Sequence, residues 1–458
     1  MRYVNRNYTM FILFSITAIS FANENVAQTL PTGAPHSIAF HSNRDLNPNA
    51  GTTEVYVMNP DGSEQTRITF DPRTDQQPDI SPDGKQIAFA SSRITPTNPR
   101  GDLQIFLINT DGSTFPDGRI DKQLTFNADT CLVLTTGCLN SWPRWSPNGE
   151  WVAFHSNIPG TSVTGNPFEI YRIRRDGSDL TRLTTNTILD QFPSWSPDGS
   201  RLAIRSDGEL WVINSLDGSN AVRLTFTSSP VINQMASWSP DGTKLAFMST
   251  REPGNYPSIF LTEINDPNPN HQFDLTPKID PNVPTAEWSS RAPSWSRDGN
   301  YIYFTGIRPE TCPNGPPCTI EQIFVMNSDG SHITQLTFTG SNAIPAVRYA
   351  LPPTIRNLTA TPNVLWPANN DMVPVSLTVD VTDNSDPAPV CQITDVTSNE
   401  AAAENAWHIT GPLTLNLRAQ RFGMGTGRVY TVTITCTNTS QLSSSATVTV
   451  GVPHDQRK

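Results

Sequence analysis

Charge is scarce in this chain, and positive charge scarcer still. Only 16% of the 458 residues are charged, and 31 Lys and Arg stand against 42 Asp and Glu, a net charge of −11. A protein that tracks nucleic-acid phosphates needs a basic face, so nucleic acid is excluded as a partner class. Histidine numbers only seven, with no cluster at metal-ligand spacing. The sequence has no H-E-x-x-H, no G-x-S-x-G and no P-loop. Its Asp-Gly turns lack the upstream acidic ligands of an EF-hand. The six cysteines include no C-x-x-C pair, which argues against a zinc finger. After residue 22 no stretch approaches the roughly 18 apolar residues that cross a bilayer, so the chain is not expected to span a membrane.

Turn formers are plentiful. Pro at 40 and Gly at 27, with abundant Thr, Ser, Val and Ile, point to a turn-rich all-β protein. Residues 1–22 read as a signal peptide: Arg2 and Arg6 precede an apolar stretch from Met10 to Phe21, and Ser20 and Ala22 fit the small-x-small cleavage rule. No Cys follows that site, so no lipid anchor is expected, and the location is periplasmic or extracellular. The cysteines suit an oxidising compartment. Cys131 with Cys138, Cys312 with Cys318, and Cys391 with Cys436 are the expected disulfides. By loop entropy the short ones contribute about 2.5 kcal/mol each and the long one about 4 kcal/mol.

One unit repeats through most of the chain. Its mark is S-P-D-G ahead of an apolar run: Ser81 to Gly84, Ser146 to Gly149 (with Asn148), Ser196 to Gly199, Ser239 to Gly242 and Ser296 to Gly299 (with Arg297), at glycine spacings of 65, 50, 43 and 57 residues. Such a period means a solenoid, a propeller or an array. Each unit reads as four strands. Phe192-Pro193-Ser194-Trp195 is typical of the first, Lys244 to Met248 of the second, Gln322 to Asn327 of the third and Thr181 to Thr184 of the fourth. The second and third are apolar at consecutive positions, as strands covered on both faces are. The N-terminus supplies strands two to four (Ser37 to Phe40, Glu54 to Met58, Thr66 to Thr69) without a first, and Ala343 to Val347 resembles a first strand with nothing after it. A six-bladed ring closed by that last strand leaves no open edge.

The S-P-D-G turns, the I-A-F-x-S-x-R strand ends (Ile38 to Arg44, Ile87 to Arg93) and the third-strand, Asp-Gly, R-L-T endings resemble the TolB-type, WD40-like PD40 propeller family over about residues 36–350. The resemblance implies a propeller that binds periplasmic and outer-membrane proteins. The chain departs from the family in two expected features: about fifteen mature residues precede the first strand, too few for the family's N-terminal α/β domain, and the C-terminal module differs. That module, residues 351–458, alternates strictly at Val375 to Val381, Tyr430 to Cys436 and Ala446 to Val450, as an antiparallel sandwich does. Leu365-Trp366-Pro367, Ser398 to Glu400, Leu417 to Arg421 and Gly425 to Thr431 resemble the HYR-like, immunoglobulin-like domains of secreted bacterial proteins. Residues 23–350 would then form the propeller. Asp380, Asp383 and Asp386 read either as a solvated turn or as calcium ligands.

Loop lengths separate the two ends of the ring. The S-P-D-G and Asp-Gly turns are short, whereas the connections from second to third strand, and from sheet to sheet, are long and carry both short Cys pairs. Binding is normally housed on such loops. Beneath them the aligned units place Asp75, Asn140, Asp190, Asn233, Ser290 and Asn342, then Arg44, Arg93, Arg251 and Arg308 at second-strand ends, and His41, His155 and Arg205 just before those ends. One reading is a polar funnel for a peptide, glycan or protein loop. The other is structural, each Arg pairing with an Asp of a neighbouring blade. The functional expectation is a monomeric protein-binding scaffold, without a cofactor, engaging a protein, a peptide or a glycan. The alternatives are a metal-dependent propeller enzyme (carbohydrate lyase or lactonase) using His41 and His155, and cell-surface adhesion through the Ig-like domain.

Overall fold

The computed structural model describes residues 37–46, 52–126, 138–158, 168–252, 256–266, 272–276, 289–311, 317–348, 353–383, 388–400, 405–421, 427–438 and 443–453. The expected signal peptide, Cys131, Cys312 and Asp386 lie outside them, as do most of the long loops. The side chains of Arg308 and Cys318 lie outside them too, although their backbone is strand. Every regular element among the described residues is a β-strand.

The architecture is that of a β-propeller, and among the described residues up to 348 six four-stranded antiparallel sheets follow one another. Sheet 1 runs Asn342–Val347, Ile38–Ser42, Glu54–Met58, Thr66–Arg67, so its innermost strand comes from 300 residues downstream of the next. Sheet 2 is Asp75–Ile80, Gln86–Ser91, Gln104–Asn109, Asp121–Gln123. Sheet 3 is Asn140–Trp145, Trp151–Ser156, Glu169–Arg174, Thr181–Arg182. Sheet 4 is Asp190–Trp195, Arg201–Ser206, Glu209–Asn214, Val222–Arg223. Sheet 5 is Asn233–Trp238, Lys244–Ser249, Ser258–Glu263, Phe273–Asp274. Sheet 6 is Ser289–Trp295, Tyr301–Thr311, Pro317–Asn327, Thr334–Gln335.

The consecutive apolar residues of the middle strands fill the gaps between sheets. Phe89 packs with Val55, Trp145 with Leu107, Trp195 with Ala153, Trp238 with Val212 and Trp295 with Ala246, each pair joining one sheet to the next. Tyr303 and Val325 of sheet 6 pack with Phe40 and Tyr56 of sheet 1. Burying such side chains stabilises by about 2 kcal/mol each, which makes these seams the main cohesive term. The S-P-D-G turns follow from side-chain chemistry. Ser81 Oγ donates to Asp83 Oδ1 at 2.6 Å and accepts the Gln86 N–H at 2.9 Å, while Gly84 takes φ 71°. The other four turns repeat the Ser to Asp or Asn bond at 2.5–2.6 Å.

The C-terminal residues form two more sheets. Sheet 7 is ordered Thr354–Thr361, Met372–Thr382, Thr414–Arg418, Trp407–Gly411, and sheet 8 is ordered Val390–Ser398, Gly427–Thr437, Ser443–Pro453. Their inward side chains, among them Val375, Leu415, Leu417, Tyr430 and Val432, share one core. Cys391 and Cys436 are directly opposite on adjacent strands of sheet 8 and form a disulfide. It ties two strands of one sheet together and closes a 45-residue span. Cys138 is buried and disulfide-bonded.

Candidate functional site

At the end of the ring that carries the long connections, buried polar side chains form a collar. Asp75, Asn140, Asp190, Asn233 and Asn342 open the first strands and have no exposed surface. The Arg93 guanidinium holds Asp75 with two bonds, Nη2 at 2.6 Å and Nε at 3.3 Å, and also pairs with Asp121. Arg44 Nη2 donates to Asn342 Oδ1 at 2.6 Å and Arg251 Nη2 to Asn233 Oδ1 at 3.0 Å. Each of these arginines caps the aromatic pair of its own sheet: Phe40 and Tyr56, Phe89 and Phe106, or Phe247 and Phe260. The partners belong to the arginine's own sheet, not to a neighbouring one, because the first and second strands are hydrogen-bonded neighbours there.

Contact between sheets comes from residues that sequence reasoning missed. At one aligned position the third strands carry Glu54, Gln104, Glu169, Glu209, Ser258 and Gln322, and the fourth strands are followed by Thr69, Thr125, Thr184, Thr225, Thr276 and Thr337. Every one of these threonines accepts a backbone N–H of the third strand at 2.9 Å. Five of them donate to the Glu or Gln. That Glu or Gln then reaches the next sheet: Asn140 Nδ2 donates to Gln104 at 2.8 Å, Asn233 to Glu209 at 3.0 Å and Asn342 to Gln322 at 3.0 Å. Burial pushes Glu54 up to about 7 against the opposing bond from Thr69. The signal was present: a polar residue opening an otherwise apolar run, and a Thr closing each fourth strand.

Immediately beyond those threonines stand Phe70, Phe126, Phe226 and Phe338, with 70, 51, 53 and 73% of their surfaces exposed. Arg67 and Arg223 lie over the Phe70 and Phe226 rings at 4.8 and 4.9 Å, yet all four aromatics leave at least half of their surface to water at one repeat position.

Deeper along the axis the first strands bulge. Gln77, Trp142, Phe192, Met235, Ala292 and Ile344 each have φ between 50° and 59°, at the register breaks of sheets 1–6. Left-handed backbone costs a non-glycine residue about 1 kcal/mol. Five of these side chains meet at the axis, where Trp142, Ala292 and Ile344, with Ala343, form an apolar cluster with Phe192 and Met235 against it. The Trp142 and Phe192 rings meet edge to face at 4.8 Å. The axis is therefore filled at this level.

His41 and His155 serve these bulges. His41 Nδ1 accepts the Gln77 N–H at 3.4 Å, and His155 Nδ1 accepts the Phe192 N–H at 3.3 Å. Burial, with Arg291 beside His41 and Arg144 beside His155, pushes both down to about 3. With Nδ1 accepting, His155 Nε2 carries the proton and donates to Ser141 Oγ at 2.8 Å, so this Ser–His contact cannot activate the hydroxyl as a nucleophile. Groups of three or more metal-ligating side chains are absent among the described residues. Arg205 Nη1 bridges Gln191 and Gln234 at 3.1 and 3.0 Å. Asp383 accepts from Asn438 at 3.0 Å.

On the other side of the apolar seal, at the S-P-D-G end, lies an open axial cavity. Trp142, Met235 and Ala292 floor it, Trp238 and Trp295 wall it, and Asp79, Arg144, Arg297 and Arg348 bring charge to it. Asp79 Oδ2 accepts the Trp145 N–H at 2.6 Å, and burial pushes its carboxyl up to about 6.

No known family profile matches the chain. An uncharacterized protein of Agrobacterium fabrum is 31% identical over 104 residues, which span 22% of this chain and 28% of that protein. Among solved structures, TolB from Acinetobacter baumannii aligns over 68% of this chain and 66% of its own, at 20% identity and TM-score 0.49. The putative TolB from Agrobacterium tumefaciens covers 67% of this chain and 91% of its own, at 17% identity and TM-score 0.43. The oligogalacturonate lyase from Vibrio parahaemolyticus covers 65% and 73%, at 12% identity and TM-score 0.40. At these values none of them assigns an activity to this chain.

Proposed function

We propose that this chain is an extracytoplasmic binding scaffold: a six-bladed, TolB-like propeller formed by residues 23–350, followed by an Ig-like sandwich over 351–458. Its partner is a protein or peptide engaged at the long-loop end. The observation that carries this reading is the exposure of Phe70, Phe126, Phe226 and Phe338 on the rim of that end, directly above a collar in which Thr69, Thr125, Thr225 and Thr337 bond to Glu54, Gln104, Glu209 and Gln322. A rigid collar holds the loops, and exposed aromatics give contact area at small entropic cost. The candidate residues Asp75, Asn140, Asp190, Asn233 and Asn342 act here as framework. The disulfide of sheet 8 fits an oxidising compartment. No helix among the described residues is long and apolar enough to cross a membrane.

The test is affinity capture from a periplasmic or extracellular extract with the full chain and with a variant carrying Phe→Ser at positions 70, 126, 226 and 338. The variant should keep its melting temperature and lose the captured protein. Equal capture by both would refute a rim site. Capture by residues 351–458 alone would favour adhesion through the sandwich.

A further inference from the structure

The axial cavity lies at the opposite end from the exposed phenylalanines, and its chemistry is different. Three guanidiniums line it against one carboxylate, in a protein whose net charge is −11. The Arg144 guanidinium lies 5.0 Å over the Trp142 ring and donates Nη1 to the Pro143 carbonyl at 2.9 Å. Arg297 Nε donates to the Arg348 carbonyl at 2.9 Å, and its Nη2 is a buried donor without an acceptor. Arg144 and Arg297 make no ion pair among the described residues. Burial disfavours the Arg348 charge more than nearby Asp83 and Asp383 favour it, and its guanidinium is held against the first S-P-D-G turn, where a Cβ on Gly84 would collide with Nη1.

The indoles add a second observation. Trp195 and Trp238, at the ends of their first strands, donate Nε1 to the Arg144 and Ser194 carbonyls at 3.0 Å. Trp295 holds the equivalent position in sheet 6, in the cavity wall, and its Nε1 is buried without an acceptor. The wall thus combines two guanidiniums without a salt bridge, Arg144 within electrostatic reach of Asp79, and a spare indole N–H, all donors, with apolar Trp, Pro and Met surface. The serine hydroxyls among the lining residues are partly committed: Ser237 Oγ accepts the Trp295 N–H at 3.3 Å and Ser294 Oγ the Val347 N–H at 3.0 Å.

We propose that this cavity is a carboxylate-binding site for an acidic peptide segment, in which Arg144 and Arg297 take the carboxylate and Trp238 and Trp295 pack on an apolar neighbour of the acidic residue. A planar guanidinium fork matches a carboxylate with two parallel bonds. Apolar walls lower the local dielectric and strengthen that attraction. A uronate's hydroxyls would need acceptors, and the lining holds no Asn, Gln or Glu and one carboxylate, Asp79, which already accepts the Trp145 N–H, so the lining favours a peptide. The site does not depend on what the long-loop end binds.

The experiment is a tryptophan-fluorescence titration of the full chain, repeated by calorimetry, with the blocked tripeptide acetyl-Leu-Glu-Leu-amide. Its Gln analogue and trigalacturonate are titrated in parallel. Saturable binding of the Glu peptide is expected, about tenfold weaker or more for the Gln analogue and for Arg144→Gln or Arg297→Gln. Melting temperatures monitor folding. Arg297→Lys, which keeps the charge and loses the fork, should fall between wild type and Arg297→Gln and carries the test if Arg144→Gln unfolds. Equal affinity for the Glu and Gln peptides, or no effect of any arginine variant, overturns the proposal. So does absence of Glu-peptide binding at millimolar concentration. Arginine-dependent binding of trigalacturonate in place of the peptide overturns the assigned occupant. The Phe→Ser rim variant should bind the peptide unchanged, which separates this outcome from that of the rim.

Discussion

Removing the charge of one collar position tests whether the collar couples the third and fourth strands of a sheet. Glu209 accepts four hydrogen bonds, from Thr225 Oγ1, Asn233 Nδ2 at 3.0 Å, Thr227 N at 2.7 Å and Thr227 Oγ1 at 2.8 Å, and pairs with Arg223 Nη2 at 3.1 Å. The Glu209 side chain is 6% exposed and that of Arg223 36%. The repeats themselves offer the alternative. Where the third strand carries Glu54, Glu169 or Glu209, the fourth carries Arg67, Arg182 or Arg223; where it carries Gln104 or Gln322, the fourth carries Gln123 or Gln335. Glu209→Gln keeps one acceptor oxygen, turns an NH₂ toward a donor and strands Arg223. Bonds to a charged acceptor contribute about 1.5–3 kcal/mol each, so the expected cost is about 2–4 kcal/mol. Arg223→Gln alone should cost about 1 kcal/mol, because the pair is partly solvated. The double variant rebuilds the Gln/Gln arrangement of sheets 2 and 6, and its cost should fall short of the sum of the singles by about 1–2 kcal/mol. Urea denaturation followed by circular dichroism reads all four proteins. Additivity within about 0.5 kcal/mol would show that the two side chains act independently and refute the coupling.

Two further outcomes concern pH and the axis. Glu54 keeps its proton in the folded chain up to about pH 7, whereas the unfolded chain loses it near pH 4.5. Its contribution therefore falls as pH rises from 4.5 through 7, and Glu54→Gln should flatten the melting temperature across that window. His41 and His155 work in the opposite sense: neutral in the fold down to about pH 3 and protonated below pH 6.5 when unfolded, they withdraw stability as pH falls from 6.5 through 3. A His41→Asn/His155→Asn variant should lose that acid slope, and melting curves parallel to wild type would refute the assignment. Trp142→Ala should cost about 3–5 kcal/mol in urea denaturation, since Trp142 is only 3% exposed and packs in the seal; a cost under about 1 kcal/mol would mean that the axis is loosely filled.

The strands were legible because their signals are local. Asp-Gly turns, S-P-D-G with its Ser to Asp bond, and doubly covered apolar runs need no knowledge of the partner sheet. Asp75, Asn140 and Asn233 were also legible as an aligned ring, but their role was not. It depends on which arginine, Thr and Glu lie next to them in space, and Glu209 lies 24 residues from Asn233 in sequence. The bulges were illegible for a different reason. The residue before a proline ordinarily favours extended backbone, yet Gln77, Trp142, Phe192, Ala292 and Ile344 all precede Pro and all have positive φ. A β-branched residue such as Ile344 carries no local hint of that conformation. The ring imposes it, because an inward turn lets five of the six first strands fill one axis.

The repeats also separate framework from site within a single chain. At the long-loop end the Thr after each fourth strand is the same in all six sheets, and each makes the same bond to the third strand. Such uniformity is what a shared mechanical task requires. At the S-P-D-G end the positions facing the axis diverge. Where sheets 4, 5 and 6 carry Ser194, Ser237 and Ser294, sheets 2 and 3 carry Asp79 and Arg144. Arg297 replaces the turn proline of the other four S-P-D-G units, and Arg348 replaces the turn serine. Asp79 and Arg297 do bond across seams, to the Trp145 N–H at 2.6 Å and to the Arg348 carbonyl at 2.9 Å, but the uncharged Ser237 and Ser294 make cross-seam bonds as well, and each change brings a charge to one cavity at a desolvation cost. Charges gathered against the repeat pattern, on the axis where six sheets converge, have their simplest physical use in holding a ligand of opposite charge.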